Sequence, residues 1–165
     1  MTDEQPMVRL TGVAKRFTKG KETISIFDHL DLAIPRGDFI AVMGPSGSGK
    51  TTLLNLLGGI DRADAGEIAV ADQRIDGLSE GELAAWRAAN IGFIFQFYNL
   101  MPMLTAAQNV ELPLLLTRLK KTERAERVQT ALSVVGLADR TKHRPREMSG
   151  GQQQRVAIAR AIVSD

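Results

Sequence analysis

Gly44-Pro45-Ser46-Gly47-Ser48-Gly49-Lys50-Thr51-Thr52 fits the spacing G-x-x-x-x-G-K-[ST], with Gly44, Gly49, Lys50 and Thr51 at the fixed positions. Before it, Gly37-Asp38 is followed by the apolar run Phe39-Ile40-Ala41-Val42-Met43, which reads as a strand buried on both faces. After it, Thr51 to Leu57 carries a helical pattern ended by Gly58-Gly59. Strand, glycine loop and helix form the context in which this spacing binds phosphate. Glycines at 44, 47 and 49 let successive N–H groups converge where a Cβ would obstruct them. The helix adds the positive end of its dipole to the same place. The implied ligand is a nucleoside triphosphate, with Lys50 reaching its β- and γ-phosphates, Thr51 facing Mg²⁺ and Thr52 the α-phosphate.

A second glycine motif, Met148-Ser149-Gly150-Gly151-Gln152, lies nearly a hundred residues downstream. Ser149 with Gln152 three residues on forms a capping box, opening a helix through Gln154 to Val163. Gly150 and Gly151 therefore fall at a helix N-terminus, a second anion-favouring position. Alone, such a stretch is an ordinary helix start.

Together, the two motifs give the chain a resemblance to the ATP-binding cassette (ABC) ATPases, the nucleotide-hydrolysing subunits of ABC transporters. MSGGQQQRVAIARA is similar to that family's signature and its helix, with Met148 where Leu is usual. The resemblance implies that Ser149, Gly150, Gly151 and Gln152 bind the γ-phosphate of the ATP held by another copy's loop, so the working unit is a homodimer. The apolar stretch from Ile91 reads as a strand that ends at Gln96, and the resemblance implies that Gln96 helps hold Mg²⁺ and senses the γ-phosphate. Phe17 falls where the family stacks an aromatic on adenine. The implied cofactors are ATP and Mg²⁺. The stretch GFIFQFYNLMPMLTAAQNVELPL resembles the branch that powers lipoprotein release, macrolide export and cell-division complexes, in which ATP binding moves an integral-membrane permease.

The implied fold class is α/β: a P-loop NTPase with a RecA-like parallel-sheet core, an antiparallel β-subdomain and a helical subdomain, the C-terminal part of the core missing. Residues 1–165 are expected to form one incomplete ATP-binding domain. Within it, 7–78 supply the β-subdomain and P-loop core, 97–148 the helical subdomain and 149–165 the signature helix. The family's Asp-Glu strand, which organises Mg²⁺ and activates water, and its switch His are expected beyond Asp165, so no catalytic residue is assigned in this chain. If the chain ended there, the reading would become a hydrolysis-incompetent nucleotide-binding fragment or a regulatory interaction module, aggregation-prone when isolated. The interval between Lys50 and Ser149 lacks the sustained heptads of the DNA-repair and chromosome-organising ABC ATPases.

Composition agrees. The chain has 165 residues, 44% of them hydrophobic and 24% charged, enough for one good core. A net charge of +2 is too small and dispersed to imply nucleic acid as a partner. Without cysteines, disulfides, thiolate metal sites and cysteine nucleophiles are excluded. The start MTDEQPMV is unlike a signal peptide, and no apolar run reaches the ~18 residues of a membrane span. The expected location is therefore cytoplasmic, peripheral on the inner face of the plasma membrane through the permease, with no direct membrane insertion.

Local signals complete the expectation. Short apolar stretches within residues 7–43, such as Val8 to Leu10 and Ile24 to Phe27, and another at Glu67 to Ala71, suit a small sheet. Ser79 to Glu82 is a further capping box. Thr105 to Leu119 reads as a helix that Pro113 must kink or end, and Thr122 to Val135 as one stopped by Gly136. Lys120 to Arg127 reads as a solvated face, and His29 and His143 as surface or turn residues.

Overall fold

The structure, a computed structural model, describes residues 5–164 apart from the side chain of Lys19; Met1 to Glu4 and Asp165 lie outside the described residues. The chain divides into two compact units, Met1–Arg87 and Ala88–Asp165.

The first unit is built on an antiparallel sheet. Strand β1 (Val8–Lys19) pairs with β2 (Glu22–Ile34) on one edge and with β3 (Ala65–Val70) on the other, and β3 continues to the short β4 (Gln73–Arg74). A break in the β1 register between Leu10 and Val13 falls at Gly12, whose N–H donates to Asp31 Oδ1 at 2.7 Å. Alternation places Ile68 and Val70 of β3 in the core, and the register break lets Leu10 and Val13 of β1, three residues apart, both join them. Helix α1 (Lys50–Leu57) contributes Leu56, and α2 (Glu80–Asn90) contributes Leu83 and Trp86. The expected cap of α2 is made: Ser79 Oγ and Ser79 N donate to Glu82 Oε2 at 2.6 and 2.9 Å. Those bonds, the hydroxyl's foremost, hold the Glu82 carboxyl below its ordinary pKa.

The second unit is helical. Helix α3 (Ala106–Glu111) passes into a 3₁₀ turn at Leu112–Leu116, followed by α4 (Lys121–Val134) and α5 (Gly150–Ile162). The early end of α3 is the one Pro113 demands, since proline offers no N–H to an α-helical ladder. Gly136, with φ of 70°, closes α4 as expected. Val110, Leu114, Leu132, Leu137, Val156 and Val163 form a single apolar core among these helices.

Two of the sequence expectations need correction. Phe39 to Met43 is not a strand: it pairs with no neighbour among the described residues, and Phe39 and Met43 are 97% and 87% exposed. Ile91 to Phe95 is likewise extended but unpaired, with Ile94 exposed. The reason is the same for both. An all-apolar run reports what a segment would bury, but a parallel strand forms only where ladder partners and covering helices meet it, and the described residues supply none.

Lys120 to Arg127 is exposed as expected except at Arg124. Arg124 is partly buried, donating to Glu111 Oε1 at 2.9 Å and to Leu119 O at 3.0 Å, so it ties α4 to the end of α3 rather than facing water.

Candidate functional site: a phosphate-type loop and two helix starts

The loop between Gly44 and Gly49 curls because three of its residues take backbone angles that favour glycine. Gly44, Gly47 and Gly49 have φ of 153°, 85° and 88°. Gly49 caps α1 in the left-handed conformation and donates no side chain, so the first turn of that helix is left without a side-chain cap. Space matters as well as angle. A Cβ on Gly49 would stand 2.7 Å from Ile26 Cγ2 and 3.1 Å from Phe27 Cζ, so the loop lies directly on β2. A Cβ on Gly44 would meet Ser48 Oγ at 2.8 Å. Ser48 N closes the turn on Pro45 O at 3.3 Å.

Lys50 turns back over this loop. Its Nζ donates to Pro45 O at 2.7 Å, to Gly44 O at 2.9 Å and, at the limit, to Ser48 Oγ at 3.5 Å. An ammonium is thus held over the curl by neutral oxygens, with no carboxylate among the described residues bonded to it. A cavity of about 490 Å³ opens beside it, lined by Ile26, Ser46, Gly47, Gly49, Lys50, Thr51 and Thr52. Uncapped N–H groups, three hydroxyls and a cation on one cavity suit a polyanion with a bound cation. The fit to a triphosphate with Mg²⁺ rests on this cradle, whose curl a Cβ at Gly44 or Gly49 would disturb by colliding with Ser48 Oγ or Ile26 Cγ2.

Phe17 lies on β1 opposite Ile24 of β2 and is 43% exposed. Lys15 Nζ stands 4.9 Å from its ring centroid while bonding Asp61 Oδ1 at 2.7 Å and Arg62 O at 2.8 Å. The ring therefore carries a cation against one face and remains partly open.

In the helical unit, the signature stretch is built as expected. Ser149 Oγ accepts from Gln152 N at 3.3 Å, and Ser149 N donates to Gln152 Oε1 at 2.9 Å. Met148 is buried in the unit's core, so replacing leucine there keeps the anchor that fixes where α5 begins. The turn before it is held by Gln153, whose Nε2 donates to Pro145 O at 3.0 Å and Met148 O at 3.1 Å. Arg144 N donates to Glu147 Oε2 at 2.7 Å, the main reason the Glu147 carboxyl sits below its ordinary pKa. Gly150 and Gly151 have open space where a Cβ would be.

Gln96 is exposed at the start of a turn through Asn99. Tyr98 and Asn99 take φ of 58° and 46°, and Arg160 Nη2 and Nη1 donate to their carbonyls at 2.6 and 2.7 Å. Asn109, fully buried, holds the next turn: Met101 N donates to its Oδ1 at 2.7 Å, and its amide donates to the carbonyls of Met101, Leu104 and Thr105. Sequence reasoning missed Arg160, Asn109 and Gln153. A signal existed for the first: Arg160 is a lone charge inside Val156 to Val163.

Among the described residues no helix is long and apolar enough to cross a membrane, and no group of three or more His, Asp or Glu is arranged to hold a metal ion.

Comparison with known proteins gives the family. The ABC transporter family profile matches residues 27–165. An uncharacterized ABC transporter ATP-binding protein of Bacillus subtilis, YknY, is 48% identical over 96% of this chain and 69% of its own length. The macrolide export ATP-binding/permease protein MacB of Pasteurella multocida is 44% identical over 97% of this chain but only 25% of its own. Among solved structures, the dimeric cassette MJ0796 bound to ADP and Pi superposes with a TM-score of 0.88 at 42% identity, covering 96% of this chain and 70% of that one. The fold is that of an ATP-binding cassette, and the chain belongs to the ABC transporter family.

Proposed function

We propose that this chain is the ATP-binding part of a transporter related to the MacB type, and that it energises an integral-membrane permease from the cytoplasmic face. The observation that carries the reading is the Gly44–Thr52 loop, where an uncapped helix start, three hydroxyls and Lys50 converge on one cavity.

In this reading the N–H groups of the loop and the first turn of α1 bind the triphosphate. Lys50 exchanges its bonds to the Gly44 and Pro45 carbonyls for the β- and γ-phosphate oxygens, gaining charge-assisted bonds for neutral ones. Thr51 and Gln96 are the side chains that would hold Mg²⁺, which neutralises phosphate charge when bound. Thr52 orients the α-phosphate. Phe17 offers the open part of its ring to adenine. Ser149, Gly150, Gly151 and Gln152 act on the nucleotide held by a second copy, so that binding closes a homodimer. Closure is transmitted to the permease by the helical segment 97–148, and the permease selects the cargo.

The tandem test is a calorimetric titration of the intact protein with MgATP, with light scattering for molecular mass at each end point. The expected result is binding coupled to a doubling of mass. Binding with no change in mass at saturating MgATP would refute the shared-site arrangement, and no binding would refute the nucleotide reading.

A further inference from the structure

Helix α5 carries at one end the Ser149 cap and at the other a set of contacts that no cap requires. The helix is about 20 Å long from its 13 residues. In its last turns, two successive residues reach the segment containing Gln96. Arg160 forks onto the carbonyls of Tyr98 and Asn99, and the backbone of Ala161 lies so close to Gly92 that any Cβ there would collide with it. Gln96 is therefore bracketed, four residues before and two to three after, by adjacent positions of one helix.

The fork depends on unusual backbone. Tyr98 and Asn99 are consecutive non-glycine residues at positive φ, a conformation costing roughly 1 kcal/mol or more at each residue. It persists only where the surroundings over-determine it. Turning both residues left-handed is what brings their carbonyls to two N–H groups of one planar guanidinium. A lysine ammonium has no second parallel donor in that geometry. Burial lowers the Arg160 pKa without threatening its charge, consistent with a cation enclosed by carbonyls.

We infer that Arg160 is a positioning residue: it fixes the turn that presents Gln96 and, with the Gly92–Ala161 contact, makes α5 a rigid link between the signature start at Ser149 and Gln96 in the same subunit. The functional part of this inference rests on the proposed role of Gln96 toward Mg²⁺ and phosphate. The structural part does not. Displacement of α5 by anything bound at Ser149 to Gln152 would be felt at Gln96, because helix, fork and backbone contact move together.

The experiment uses the intact protein and three variants, Arg160→Lys, Gly92→Ala and, as a control on the same helix, Arg155→Lys, whose guanidinium donates to Val135 O at the surface. Amide hydrogen exchange at residues 97–101 is expected to accelerate about tenfold in Arg160→Lys, the equivalent of one lost charge-assisted bond, and to stay unchanged in Arg155→Lys. Gly92→Ala should accelerate the same amides. ATP affinity without Mg²⁺ should stay within about twofold in Arg160→Lys, while the gain in affinity on adding Mg²⁺ falls about tenfold. Combining Arg160→Lys with Gln96→Ala should add nothing further to that loss. Unchanged exchange at 97–101 in Arg160→Lys, or acceleration spread over all of the helical unit, overturns the inference. If exchange accelerates locally while Gln96→Ala leaves the Mg²⁺-dependent gain intact, the clamp stands and the proposed role of Gln96 falls.

Discussion

Helices α1 and α5 both begin at glycine motifs, yet their N-termini are finished in opposite ways. At α1 the capping position is Gly49, which has no side chain to offer, and the nearest cation, Lys50, is parked on loop carbonyls. At α5 the capping position is Ser149, and a reciprocal pair of bonds with Gln152 satisfies the first turn from within. The first start is left electrostatically open and needs a ligand to complete it. The second is structurally complete and needs none, so whatever its glycines contact comes to it from outside. A nucleotide site divided between two copies of the chain requires this asymmetry: one end holds the anion, the other receives it.

Lys50→Ala is the harshest way to break the contrast. Removing the cation that lines the open start should raise the Kd for MgATP about 100-fold or more, measured by calorimetry. Ser149→Arg tests the other end. Its isolated subunit should bind ATP within about twofold of the parent, yet light scattering should find no ATP-driven dimer, because the arginine fills the space beside Gly150 and Gly151. Asn109→Ala asks whether the helical unit is held by its own core rather than by the nucleotide. With Met101 N and three carbonyls left without their partner, a loss of about 2–4 kcal/mol is expected in denaturant unfolding of the intact protein, whether or not ATP is present.

Gly49→Ala should cost about 1–3 kcal/mol from its left-handed backbone and its contact with Ile26, with ATP affinity falling alongside stability. The smallest effect sharpens the account of the signature turn. The Glu147 carboxyl has its pKa lowered in the folded state, so it contributes stability above the ordinary glutamate pKa and loses it as pH falls through the lowered value. Melting temperatures of Glu147→Gln should lie slightly below the parent at neutral pH and converge with it below about pH 4. A gap that widens with acid would contradict that sign.

Much of this was legible from spacing because the features are local. Caps at Ser79 and Ser149 follow from residues three apart, the end of α3 from Pro113, and the loop curl from Gly44, Gly47 and Gly49. The family follows from the motifs' order, and the comparisons bear it out. Phe39 to Met43 was misread because a strand's existence depends on partners at unrelated sequence positions, about which its own apolarity says nothing. Arg160 and Asn109 were missed for a related reason. Their partners are backbone carbonyls and N–H groups, which every residue carries and no motif marks.

The division of labour between the two helix starts is tested most directly by mixing Lys50→Ala with Ser149→Arg in the intact protein and measuring mass by light scattering in saturating MgATP. Neither variant alone should dimerise, whereas the mixture should, because one open start from the Ser149→Arg copy then faces one intact signature from the Lys50→Ala copy. A mixture that stays monomeric, or a Ser149→Arg protein that dimerises alone, would contradict the account.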